Sequence, residues 1–153
     1  MMHGYLAFDK EDNLLVPFRT WRNTITAKAA EELTAIFDFN IPQRWSIAHL
    51  YQAILNKEKH VNQIAYITTL AGYIHYRLTN KHEVGIGEAS GIFPIDSKKL
   101  TYDQKMVNQF NQLIKGKVKW KLLDVLPKVK VAGEVGENIT KEGQKFLGIN
   151  LKN

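Results

Sequence analysis

Apolar and polar positions follow two different periods along this chain. Near the start the period is two. Tyr5 to Asp9 and Leu14 to Phe18 read as short strands, and the polar Lys10-Glu11-Asp12-Asn13 between them predicts a hairpin. Pro17 has no amide hydrogen for a ladder, so it makes the second strand an edge strand or ends it early.

From residue 26 onward the period lengthens to that of a helix. Thr26 is placed to cap a helix over Ala27 to about Phe37, with Ala30, Leu33, Ile36 and Phe37 on one face. Ile41-Pro42 breaks the chain, and Ser46 is placed to cap a second helix. There Ile47, Leu50, Tyr51, Ile54 and Leu55 form the strongest amphipathic pattern in the sequence. Ile64 to Ile67 is a short apolar run. Thr68 or Thr69 opens a third helix with Leu70, Tyr73, Ile74 and Leu78 on one side, and Asn80 is its left-handed stop.

Residues 81 to 97 are Gly-rich and contain Pro94, which predicts a loop or short strands. Thr101 and Gln104 have capping-box spacing for a helix to about Lys115, with Met106, Phe110, Leu113 and Ile114 inward and Gly116 as its end. A short helix over Trp120 to Val125, a strand through Val129 and Val131, and a last helix from Thr140 to Gly148 complete the pattern. Ile47, Leu50, Tyr51, Ile54, Leu70, Ile74, Phe110 and Leu113 are the expected core. The expected fold class is α+β, mainly helical, with peripheral strands. The long β-branched strands of a complete nucleotide-binding α/β domain are missing.

Composition narrows this little. With 44% hydrophobic and 24% charged residues the chain is globular, and its 153 residues suffice for one domain. No apolar run approaches the ~18 residues of a membrane span, and no basic stretch leads into an apolar one as in a signal peptide. Cysteine is absent, which excludes disulfides and thiolate metal sites. A cytoplasmic location is the expectation.

The net charge of +6 raises the question of nucleic acid. Lys115, Lys117, Lys119 and Lys121, followed by Lys128 and Lys130, form the densest basic stretch, with Val118 and Trp120 interleaved. No arginine cluster or RNA-binding aromatic motif accompanies them, so a solvated face is the simpler account. A non-enzymatic basic helical binding module is the alternative. It requires these lysines to share a face with exposed aromatic rings.

Candidate chemistry is sparse. His3, His49, His60, His75 and His82 contain no i, i+4 pair and no acidic cluster, so no metal site is expected. Gly87-Glu88-Ala89-Ser90-Gly91 is not a Gly-x-Ser-x-Gly elbow. Gly85-x-Gly87-x-x-x-Gly91 lacks the Lys-Ser/Thr of a P-loop and the spacing of a dinucleotide fingerprint.

The order of the loose motifs is more informative. Met2-His3-Gly4 precedes a strand; Arg19-Thr20-Trp21-Arg22-Asn23-Thr24 follows its partner. Gly72-Tyr73-Ile74-His75-Tyr76-Arg77-Leu78-Thr79-Asn80 lies in a helix, then come Gly87-Glu88-Ala89-Ser90-Gly91, Gly133-Glu134-Val135-Gly136 with Thr140, and Gly148-Ile149. In this order they resemble the interior of the N-terminal domain of FGGY-family carbohydrate kinases, especially xylulokinase-like members. The resemblance covers nearly the whole chain. It implies that residues 1–153 are a peripheral part of an actin-like, ribonuclease H-like ATPase domain whose central sheet is incomplete here.

The resemblance also implies a site. Met2, His3 and Gly4 correspond to the family's sugar-contacting turn, and Trp21 to its Trp-centred sugar segment. Asn23 stands where the family has an acid, and Arg22 is the neighbouring cation. No Asp-x-Gly-Thr/Ser phosphate turn occurs, nor the later catalytic Asp segment, nor the adenine-holding second domain. The implied parent activity is transfer of phosphate from ATP, with Mg²⁺, to a sugar, with a ketopentose such as xylulose as first candidate. This chain alone is expected to be inactive, to contribute sugar positioning only, and to bind neither nucleotide nor metal. A regulator that keeps the fold of a kinase piece and binds a partner through an exposed apolar face is a third reading of the sequence.

Overall fold

The computed structural model describes residues 3–149. Its elements are β1 (Leu6–Phe8), α1 (Ala27–Phe37), α2 (Ser46–Leu55), a 3-10 turn (Lys59–Gln63), β2 (Tyr66–Thr68), α3 (Leu70–Thr79) and β3 (Glu83–Gly85). There follow α4 (Ile86–Ala89), β4 (Ile95–Asp96), β5 (Thr101–Tyr102), α5 (Gln104–Leu113), α6 (Leu122–Val125), β6 (Lys128–Lys130) and α7 (Lys141–Leu147). Among the described residues the strands form three two-stranded sheets: β1 with β2, β3 with β6, and β4 with β5. The fold is α+β and mainly helical, as the hydrophobic periods imply.

β1 has a neighbour on each side. It pairs antiparallel with β2, Leu6 opposite Thr68 and Phe8 opposite Tyr66. On its other side, bridges join Tyr5 to Arg19 and Phe8 to Leu14, which is the expected hairpin in reduced form. Pro17 sits in the returning arm, where it leaves bridges in place of a continuous ladder. The parallel pair β3–β6 was not foreseen as a pair; Val84 lies opposite Val129.

α2 runs through the core. Ile47, Leu50, Tyr51 and Ile54 are buried, and so are Ala48, His49 and Ala53 on its other faces. Each buried Ile or Leu contributes roughly 1.5–3 kcal/mol. α1 lays Ala29, Ala30, Leu33 and Phe37 into the same core, and α5 adds Val107 and Phe110. No helix among the described residues is long and apolar enough to cross a membrane.

Some expected details are wrong in instructive ways. Ile74 is 39% exposed, and Leu70 and Leu113 are only partly buried. α3 instead buries Gly72 and Thr79, because its close neighbours are β3 and α7. Thr101 lies in β5, and α5 is capped by Asp103, whose carboxylate accepts from the Met106 amide at 2.9 Å. Thr26 and Ser46 stand at helix starts without capping them; their hydroxyls donate to the carbonyls of Gln43 and Gly4. The caps at Thr69 and Thr140 and the left-handed stops at Asn80 and Gly148 are as expected.

Candidate functional site

The turn at His3-Gly4 is held from three sides. The Gly4 amide donates to the Arg44 carbonyl at 3.3 Å. The Gly4 carbonyl accepts from Ser46 Oγ at 2.6 Å. Next along the chain, Tyr5 and Arg19 exchange both backbone hydrogen bonds, at 2.9 and 3.2 Å. Gly4 has φ of +112°, and a Cβ there would lie 2.9 Å from both the Arg19 carbonyl oxygen and the Phe18 ring. Only glycine fits so close an approach in that conformation.

His3 lies in this clamp beside Gly91, Glu88 and Arg44. Burial lowers its pKa from the usual value, and the Arg44 charge lowers it further, against the opposing pull of the Gly91 carbonyl and Glu88. Its imidazole is therefore neutral at pH 7, and the buried Nδ1 has no protein partner. Glu88 is itself held by the Thr69 hydroxyl, which donates to Oε1 while also capping α3. The loop motif Gly87 to Gly91 thus meets the His3-Gly4 turn in space. Arg44, Ser46, Thr69 and Glu88 were not read as site residues from the sequence. Their only local signal was membership of helix starts and of the Gly-Glu-Ala-Ser-Gly motif.

The Trp21 segment begins one residue beyond the Tyr5–Arg19 bridge, as a turn in which the Asn23 amide donates to the Thr20 carbonyl at 3.0 Å. It therefore leaves the ladder at the end that carries Gly4. Trp21 is 48% exposed, and the Arg22 guanidinium lies 5.1 Å from its ring centroid. Asn23 Oδ1 accepts from the Ile25 amide at 3.1 Å, which orients the side-chain NH₂ as the free donor. Met2 lies outside the described residues.

Behind the turn is a buried polar network. Arg19 pairs with Glu58, and His60 Nδ1 lies 3.5 Å from the same carboxylate. His60 Nε2 meets the Tyr5 hydroxyl at 2.9 Å, and the Arg19 guanidinium lies over the Tyr5 ring. Burial pushes Glu58 up, but the hydrogen bond and charge of Arg19 outweigh it and leave the carboxyl below its usual range. His49 stacks on Tyr5 with ring centroids 6.2 Å apart, 0% exposed, with both ring nitrogens lacking protein partners. Burial takes its pKa down to about 4.

A separate cleft of about 290 Å³ opens between α3, β3 and the loop after β6, lined by His75, Glu83, Glu88, Lys130 and Glu134 among others. Its carboxylates are engaged within the fold except for Glu83 Oε2, which is buried without a protein partner. Glu83 pairs with Lys128 and Lys130, and Glu134 accepts from the Val131 amide. In the basic stretch, Trp120 is partly buried and donates its ring N–H to the Val61 carbonyl at 2.8 Å, so it is anchored to the core.

A family profile matches residues 1–152, that of the N-terminal domain of the FGGY family of carbohydrate kinases. The chain belongs to the FGGY family. No curated protein sequence matches it significantly. Among solved structures, gluconate kinase from Lactobacillus acidophilus superposes with a TM-score of 0.78 at 23% identity, over 98% of this chain and 30% of its own. A ligand-bound xylulose kinase from the same organism gives 0.77 at 23% identity, over 98% and 31%. Glycerol kinase from Plasmodium falciparum with ADP gives 0.70 at 19%, over 96% and 31%. At such identities the likeness is one of fold. The chain spans under a third of the length of these structures.

Proposed function

We propose that residues 1–153 are the sugar-positioning part of the N-terminal domain of an ATP-dependent carbohydrate kinase, and that the chain alone transfers no phosphate. The observation that carries this is the His3-Gly4 turn, clamped by Arg44 and Ser46 and faced by the Gly87–Gly91 loop. The acceptor is a sugar or sugar-derived polyol, with a ketopentose such as xylulose as the first neutral candidate. Met2, His3, Gly4, Trp21, Arg22 and Asn23 are its proposed contacts.

The chain's residues bind and orient. Neutral His3 offers Nδ1 to a sugar hydroxyl. Trp21 gives an apolar face for the carbon skeleton, and the Asn23 NH₂ donates to an oxygen. Selectivity follows from the buried imidazole nitrogen, because a ligand that leaves it unpaired forfeits ~1–3 kcal/mol. When bound in a complete kinase, MgATP supplies the phosphoryl group. Among the described residues at the turn none fits a phosphate cradle or a free catalytic base: Glu88 is engaged by Thr69. Positioning without base and cradle gives no turnover.

A coupled ADP-release assay with xylulose, ribulose and several polyols tests this. No sugar-dependent turnover is expected. Turnover by the 153-residue chain that His3→Ala abolishes would overturn the proposal.

A further inference from the structure

The two turns proposed to hold the sugar leave the fold from one rung. Gly4 directly precedes Tyr5, and Trp21 lies two residues beyond Arg19. Tyr5 and Arg19 form an isolated bridge, exchanging backbone hydrogen bonds of 2.9 and 3.2 Å. The side chains of the same two residues meet again through a third segment. Arg19 pairs with Glu58 Oε2, and His60 Nδ1 lies 3.5 Å from that same oxygen. His60 Nε2 is 2.9 Å from the Tyr5 hydroxyl. The contacts thus close into a ring: Tyr5 to Arg19 through the backbone, then Arg19 to Glu58 to His60 and back to Tyr5 through side chains.

Chemistry gives the ring a direction. Burial pushes the Tyr5 phenol up and the His60 imidazole down, so both are neutral at pH 7. A carboxylate only accepts, so the His60 proton sits on Nδ1 towards Glu58, and Nε2 accepts from the Tyr5 hydroxyl. For stability alone an apolar cluster of the same volume would serve as well. Arg19 Nη1 is buried without a protein partner, as are both nitrogens of His49 stacked on Tyr5. What an apolar cluster lacks is a fixed set of donor and acceptor directions, and these orient the ring of Tyr5 and the guanidinium of Arg19 together. Tyr5 and His60 are both buried, so neither touches the sugar itself.

We infer that His60 is a positioning residue of the proposed sugar site: through Tyr5, and by way of Glu58 through Arg19, it fixes the His3-Gly4 turn relative to the Trp21 turn. This rests on those two turns being the sugar site. No covalent bond is made or broken in this role.

The test uses the 153-residue chain. NMR first follows the His3 ring and the Trp21 indole without ligand, then during titration with D-xylulose and xylitol. Tyr5→Phe removes one hydroxyl, and His60→Phe keeps an aromatic ring but removes both nitrogens. Each should shift both sets of signals in the free chain and weaken binding about tenfold. The double variant should bind no more weakly than either single one, because both break the same ring of contacts. His60→Gln, which keeps an acceptor for Tyr5, should recover part of the affinity. Val107→Ala, at a buried site in α5, is the control for lost stability: its urea midpoint should fall while its affinity stays. Circular dichroism checks folding, and Tyr5→Phe carries the test should His60→Phe not fold.

Variants that lose stability but keep the His3 and Trp21 signals and the affinity would make the ring purely structural. That result overturns the inference and leaves the sugar site standing. An equal loss of affinity in Val107→Ala, or additive losses in the double variant, would also overturn it. If neither probe moves His3 or Trp21 in the unaltered chain, the sugar-site proposal falls, and this inference with it.

Discussion

Ser46 Oγ donates to the Gly4 carbonyl oxygen at 2.6 Å, so the first residue of α2 holds the turn that carries His3. The bond is buried, and removing the donor strands a carbonyl away from water. Ser46→Ala should therefore cost about 1–2 kcal/mol in urea unfolding and shift the His3 ring signals. A loss below about 0.3 kcal/mol with unchanged His3 shifts would show that the other contacts fix Gly4 unaided.

α7 docks through a missing side chain. A Cβ on Gly143 would lie 2.3 Å from the Leu78 carbonyl oxygen and 2.9 Å from its Cα, and the same carbonyl accepts from the Thr140 amide at 2.9 Å. Gly143→Ala should push α7 off α3 and destabilise the chain by roughly 1–3 kcal/mol. Hydrogen exchange should show α7 amides exposed first, with α2 protected as before.

The Arg19–Glu58 pair is mostly buried behind the turn. Glu58→Gln keeps the shape but leaves the guanidinium without its countercharge. A loss of about 1–3 kcal/mol is expected, less than for a fully buried pair because both side chains reach some solvent. Pairing it with Arg19→Met should recover part of the loss in a double-mutant cycle.

Buried histidines set the acid side of the stability profile. His49 is held neutral, its folded pKa lowered by burial to about 4 from the ordinary 6.5. Between those values the unfolded chain binds the extra proton, so stability falls as pH drops from 6.5 towards 4 and levels off below. The contribution is on the order of 3 kcal/mol. His3, His60 and His82 are also lowered by burial and act in the same direction. In chemical denaturation from pH 7.5 to 4, His49→Phe should flatten the slope. An unchanged slope would assign the acid sensitivity elsewhere.

What the sequence revealed depended on how far each residue reaches. Thr140 and Gly148, or Thr69 and Asn80, bond within their own helix ends, and both helices begin and stop as their spelling indicates. Ser46 and Thr26 are spelled the same way, but their hydroxyls reach carbonyls that are far off in sequence or across a loop. Ile74 was misplaced because the close approach of β3 and α7 at Gly72 and Thr79 decides which side of α3 is inside. His3 and Gly4 are proposed as site residues on the motif they resemble. Arg44 and Glu88 became visible only when three separate segments were folded onto that turn.

The position of β1 also governs the order of assembly. Its Tyr5 meets His60 across a separation of 55 residues, and its Gly4 meets Ser46 across 42. Such contacts require long loops to close before they are rewarded, and chains rich in them fold slowly. During synthesis the His3-Gly4 turn emerges before α1, α2 and β2 and finds its partners only after they have followed. The segment proposed to recognise substrate is thus made before the partners that lock it. Until β2 arrives, one edge of β1 remains open to pairing with other chains.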